Sequence, residues 1–164
     1  MLFLFVLFVA YAVLWPFTRH SMTLRSRGRA ALAIGMTVAG VAHFVTPLPF
    51  VQHLPDVIPV REAVIYASGA VEIALGLALV GAPRSRSYAG ILLAAYLVAV
   101  FPGNLYVAVA GVAVAGQPGG IYPWIRLPFQ ALFIWLALWS TDALSVVSAR
   151  FIPGRLRPLI DASA

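Results

Sequence analysis

One carboxylate, Glu72, lies in the middle of an apolar segment that is long enough to cross a membrane. The segment covers residues 63–82 and contains no other charged residue. A charge at the centre of a bilayer costs about 2.5–3.5 kcal/mol even on insertion scales, so it needs a counter-charge, a bound proton or a function. A carboxyl group at this depth is suited to proton exchange, and Glu72 is the best candidate for a catalytic residue.

Other polar side chains occur in the apolar segments at similar depths. At about 1.5 Å of rise per residue, they fall near the midplane or in the outer half of the membrane. Arg126 lies one helical turn from Gln130 and is a suitable counter-ion for Glu72, so a purely structural ion pair is the alternative to a functional role. The predicted ligand-binding residues are His43, Ser68, Glu72, Asn104, Arg126 and Gln130.

Small residues surround Glu72 on its own helix face. Ser68, Gly69 and Gly76 allow a neighbouring helix to approach, which indicates that this face points into a bundle. We expect Ser68 and Gly69 to line a pocket that opens outward. The proline-rich segment 47–61 is apolar and irregular, which fits either a lid over that pocket or a simple interfacial turn, and His53 within it is expected to be solvated.

Several kinds of chemistry are excluded by what the sequence lacks. There is no cysteine, which rules out thiolate metal sites and thiol redox chemistry. Neither a nucleophile–base triad nor a recognised metal-binding spacing is present, so no metal site is predicted. A lone carboxylate with an imidazole, a guanidinium and amides remains, which fits a quinone, an isoprenoid or another lipid headgroup, or a proton relay.

The composition is that of a membrane protein. Hydrophobic residues make up 62% and charged residues 10% of the 164 residues, whereas soluble domains carry roughly 25% charged residues. We predict an all-α, polytopic helix bundle in one membrane-embedded domain over residues 1–164. The five predicted spans are residues 2–17, 30–46, 63–82, 88–115 and 122–147.

The arginines predict the orientation of these spans. The net charge of +6 involves arginine and no lysine, and membrane topology explains it better than nucleic acid binding. Basic residues cluster at residues 19–29, 84–86 and 150–157, which lie on one side only if there are five spans. Because cytoplasmic loops are enriched in arginine, the N-terminus is predicted outside and the basic tail 148–164 in the cytoplasm. The first segment lacks the features of a cleaved signal peptide and is expected to be retained.

Four blocks of the sequence resemble the DoxX family of small bacterial membrane proteins. They are AHFVTPLPFVQHLPDVIP, SGAVEIALGLALV, VFPGNLYVA and WIRLPFQALFIW, in that order, within about residues 29–139. The resemblance implies a four-helix antiparallel core, to which the first segment is an N-terminal addition. It also implies the bacterial inner membrane and, for some relatives, an association with quinone-linked oxidoreductases.

Three functions follow from these expectations. The first is a membrane oxidoreductase-associated subunit that binds a quinone headgroup near Glu72, His43 and Asn104. The second is a non-catalytic module that binds or transports an isoprenoid or another lipid, and the third is a scaffold in which the polar residues only fix the packing. The expected partners are the lipid bilayer, a quinone or lipid ligand, and membrane or redox proteins.

Overall fold

The described part of the chain is entirely helical. The computed structural model describes residues 2–18 and 20–146, and no strand occurs among them. The prediction of an all-α protein is confirmed. The helices are α1 (Leu2–Thr18), α2 (Leu24–Val45), α3 (Leu48–Val51), α4 (Arg61–Leu79), α5 (Arg86–Ala110) and α6 (Tyr122–Ser140), and a 3-10 turn covers Pro83–Ser85.

Three of the described helices are long and apolar enough to cross a membrane. They are α2, α4 and α5, with 22, 19 and 25 residues. At about 1.5 Å per residue, these helices measure roughly 28–38 Å, against about 30 Å for the hydrocarbon core of a bilayer. Length and composition therefore indicate a membrane protein.

Several helices begin or end at residues other than the predicted span boundaries. Helix α2 begins at Leu24, because the Thr23 side chain caps it by accepting a hydrogen bond from the Ser26 amide at 3.2 Å. Helix α5 ends at Ala110 and not at residue 115, because Gly111 adopts the left-handed conformation, with φ 66°. Helix α4 ends at Leu79. The predicted end of the last span at residue 147 and the tail 148–164 lie outside the described residues.

A buried apolar cluster joins α2, α4, α5 and α6. Its members are Leu32, Ala33, Met36, Leu79, Ala89, Leu93, Leu97 and Ala137. Most of these residues lie near the end of the protein where α2 and α5 begin and where α4 and α6 end. The core therefore packs one end of the helices together, and the predicted site residues lie toward the other end.

Helices α2 and α4 run antiparallel and cross at glycines. A Cβ atom added to Gly40 would lie 2.6 Å from the Gly69 carbonyl oxygen, and one added to Gly69 would lie 2.7 Å from the His43 Cβ atom. The same close approach continues at Gly76, where an added Cβ atom would lie 2.8 Å from Oγ1 of Thr37. Two backbones that approach this closely leave no room for larger residues. The crossing brings His43 of α2 beside Glu72 of α4.

Candidate functional site

Glu72 is held by residues of two other helices. Its Oε1 atom accepts a hydrogen bond from the Tyr96 hydroxyl of α5 at 2.9 Å. Its Oε2 atom lies 3.5 Å from Nδ1 of His43, and the His43 and Glu72 side chains are 7% and 12% exposed. Within the described chain, Oε2 is buried and has no hydrogen-bond partner. One oxygen of the carboxyl group therefore accepts a hydrogen bond, and the other accepts none from the described residues.

The His43 ring is fixed in orientation by two contacts. Its Nδ1 atom lies 2.8 Å from the Ala39 carbonyl oxygen. A carbonyl oxygen can only accept a hydrogen bond, so Nδ1 carries a hydrogen. The ring also stacks on Phe50 of α3, with the centroids 3.7 Å apart. Helix α3 thus covers the imidazole from outside the bundle.

Tyr96 was not identified from the sequence. A tyrosine in an apolar helix is usually a packing residue, so it gave no distinct signal. Only its spacing could have pointed to it: Tyr96 precedes Asn104 by two steps of four residues, which places both on one face of α5. Ser68 donates to the Ile65 carbonyl oxygen at 2.8 Å and neighbours the Tyr96 hydroxyl. Ser68 therefore belongs to the group around Glu72.

Arg126 is the centre of a second polar cluster, near the segments that join α2 to α4 and α5 to α6. Its guanidinium donates to Nε2 of His53 at 3.0 Å, to Oε1 of Gln117 at 2.6 Å and to Oδ1 of Asn104 at 2.9 Å. Asn104 in turn donates from Nδ2 to Oε1 of Gln130 at 2.8 Å, and Gln130 donates to the Leu97 carbonyl oxygen. These hydrogen bonds connect α5 and α6 to each other and to the two loops that contain His53 and Gln117.

His53 is a bonded residue and not a solvated one, contrary to the expectation from its loop position. Its Nδ1 atom donates to the Pro49 carbonyl oxygen at 2.7 Å, which leaves Nε2 as the acceptor for Arg126. The imidazole is therefore neutral in this arrangement. Burial lowers the pKa of His53, the bond to Pro49 opposes that effect, and the positive charge of Arg126 lowers the pKa further.

The predicted ion pair between Glu72 and Arg126 is wrong. Glu72 contacts Tyr96 and His43, whereas Arg126 bonds to neutral groups of the second cluster. Tyr96 and Asn104 mark the two clusters on α5, and their eight-residue separation corresponds to about 12 Å along the helix. The six predicted site residues therefore form two groups and not one.

Gly69 does not provide room for a pocket. The space in front of it is filled by α2, since an added Cβ atom would also lie 2.9 Å from the Gly40 carbonyl oxygen. The small face of α4 is therefore a helix-packing surface. A separate open groove lies at the N-terminal end of α4, and it is lined by Val51 and residues 60–63.

The segment 47–61 packs over both clusters. Phe50 stacks on His43, and His53 bonds to Arg126. The Gln52 side chain accepts a hydrogen bond from the Ala115 amide at 2.7 Å, which joins the segment to the loop between α5 and α6. Gly103 allows the close approach of this segment to α5, because an added Cβ atom would lie 3.1 Å from the His53 carbonyl oxygen.

One comparison with known proteins gives a match. A family described as a domain of unknown function, DUF8561, matches residues 32–141. The chain belongs to this family, and the matched range includes both polar clusters but not α1. No curated protein and no solved structure is significantly similar to the chain.

Proposed function

We propose that this family member is a DoxX-like protein of the cell membrane that crosses the bilayer five times, with its N-terminus outside. In this arrangement α2, α4, α5 and α6 form an antiparallel four-helix core, and α1 is an additional N-terminal span. The distribution of charge supports the orientation. Arg29 and Arg86 lie together at one end, whereas the other end carries Asp56 paired with Arg61.

Within this bundle, the group around Glu72 is proposed to bind the headgroup of a quinone or a similar isoprenoid, in a subunit associated with a membrane oxidoreductase. The observation that carries this proposal is the buried Oε2 atom of Glu72, which has no hydrogen-bond partner in the described chain. A buried polar atom of this kind is costly to leave unpaired. A bound hydroxyl group or an exchangeable proton would satisfy it.

The residues present fit such a headgroup by their hydrogen-bonding chemistry. A bound quinone supplies carbonyl oxygens that accept electrons and protons. Tyr96 is a hydroxyl donor that can turn toward a carbonyl oxygen, and Glu72 can give up or take a proton at Oε2. Phe50 stacks on His43, and this aromatic pair lies beside the carboxyl group. Access to the group requires Phe50 to move.

A non-catalytic role is the second candidate, and a separate observation favours it. The amides of Asn104 and Gln130 bond to each other, and Arg126 bonds to Asn104. A network that satisfies itself in this way holds helices together and offers little to a ligand. These residues, which we expected to bind the ligand, are therefore better explained as interhelical contacts, within a scaffold or a lipid-binding module.

Whether quinone stays bound to the protein through purification distinguishes these functions. The protein is purified from membranes in mild detergent, and the extracted quinone is quantified by mass spectrometry and by a redox difference spectrum. The wild type is compared with Glu72→Gln and with the matched control Glu62→Gln, which changes an exposed glutamate ten residues earlier on the same helix.

We expect quinone to be retained by the wild type and by Glu62→Gln, and to be lost from Glu72→Gln. Equal retention by all three proteins contradicts the assignment to Glu72. A stoichiometric lipid without a redox signal supports the lipid-binding module, and no retained molecule supports the scaffold.

A further inference from the structure

Arg27 is buried without hydrogen-bond partners for two of its nitrogen atoms. Among the arginines whose side chains are described, it alone is buried, with 7% of its surface exposed. Its Nε and Nη1 atoms have no acceptor in the described chain. A buried cation with unpaired N–H groups is costly, so this site calls for an anion.

The position of Arg27 on α2 explains why the acidic residue at this end does not reach it. Arg25 and Arg29 share one face of the helix and contact the end of α6, and Arg25 pairs with Asp142 in the turn that follows α6. Arg27 lies two residues from each, about 200° around the helix, and faces α1 instead. Its guanidinium carbon is 4.3 Å from the centre of the Trp15 ring and 6.0 Å from that of Tyr11.

The surroundings of Arg27 are strongly positive. Arg25, Arg27 and Arg29 all lie in the first two turns of α2, where the helix dipole is also positive. Arg86, at the start of α5, adds a repulsive charge close to Arg29. Asp142 is the acidic residue that the described chain places at this end. Four arginines against one aspartate leave an excess of positive charge for an external anion.

We propose that the junction between the end of α1 and the start of α2 binds the phosphate of an anionic phospholipid, with Arg27 as the principal cationic contact. A guanidinium binds phosphate oxygens in a forked geometry, and helix N-termini favour phosphate groups. The exposed apolar side chains of α1 favour a lipid over free phosphate. Phe17 is 81% exposed and Val13 is 56% exposed, so acyl chains have a surface to pack against.

Lipid retention by native mass spectrometry tests the site. Purified protein is titrated with phosphatidylglycerol, with phosphatidylcholine and with inorganic phosphate, and Arg27→Gln is compared with Arg25→Gln. Arg25 is the matched control, because it lies in the same helical turn but is exposed and paired with Asp142. We expect Arg27→Gln to weaken phosphatidylglycerol binding roughly 10- to 100-fold, the effect of losing a charge-assisted hydrogen bond. Arg25→Gln should cause a loss of about fivefold, as for any basic residue near anionic lipid.

Equal losses for the two variants overturn the proposal, because a diffuse basic surface then explains the binding. The headgroup preference of the wild type provides a test that does not depend on a variant folding. A clear preference for phosphatidylglycerol over phosphatidylcholine supports the site. Equal binding of both lipids, or binding of inorganic phosphate without any lipid preference, overturns it.

Discussion

The pairing of Glu72 with Tyr96 makes a quantitative prediction about folding energetics. Tyr96→Phe removes the hydroxyl that donates to Glu72 at 2.9 Å and leaves a second buried carboxylate oxygen unpaired. Loss of a hydrogen bond to a charged group costs about 1.5–3 kcal/mol, and leaving a buried acceptor unpaired costs about 1–3 kcal/mol. These two figures describe overlapping effects, so we expect Tyr96→Phe to cost about 2 kcal/mol.

A double-mutant cycle separates this contact from the alternative. Unfolding free energies are measured in detergent for Tyr96→Phe, for Glu72→Gln and for the double variant, and the cycle is repeated with Arg126→Ala. Residues in contact couple by about 0.5–3 kcal/mol, whereas independent sites add within about 0.5 kcal/mol. We expect coupling between Tyr96 and Glu72 and additivity between Arg126 and Glu72. If Tyr96 and Glu72 are additive and Arg126 and Glu72 couple strongly, Glu72 pairs with Arg126 and our reasoning is refuted.

Three further predictions concern packing, pH and topology. Gly69→Ala should lower the free energy of unfolding by about 1–3 kcal/mol, because it forces α2 and α4 apart. The control Ala74→Val, on an exposed face, should lower it by under about 0.5 kcal/mol. Equal shifts in melting temperature for the two variants contradict this prediction. Because the pKa of His53 is lowered in the folded state, stability should decline as the pH falls below about 6.5, and His53→Gln should reduce that dependence. Reporter fusions should indicate cytoplasm after Arg86 and the outside at Gln117, and a cytoplasmic signal at Gln117 contradicts five spans.

The sequence was informative about the helices. The apolar runs were sufficient to predict an all-helical chain, because helices satisfy their own backbone groups in a membrane. The boundaries were less predictable. Arginine is a good helix former, so α2 extends through residues that were assigned to a loop from their charge alone.

The partners of each polar side chain could not be read from the sequence. Glu72 and Arg126 are opposite charges at compatible depths, but depth does not fix the rotation of a helix or its neighbours. Tyr96 and His53 supplied the actual contacts, and both have common structural roles that gave them no distinct signal. The small face at Gly69 indicated close helix packing, and the error was to expect a cavity there as well.

The proposal that Glu72 exchanges a proton with a bound headgroup is tested most directly by infrared difference spectroscopy. Spectra are recorded with and without a quinone analogue for the wild type, for Glu72→Gln and for the exposed control Glu62→Gln. The proposal predicts a carboxyl C=O band that changes on binding in the wild type and in Glu62→Gln but is absent from the difference spectrum of Glu72→Gln. A band that persists unchanged in Glu72→Gln, or a wild type that shows no carboxyl change on binding, contradicts it.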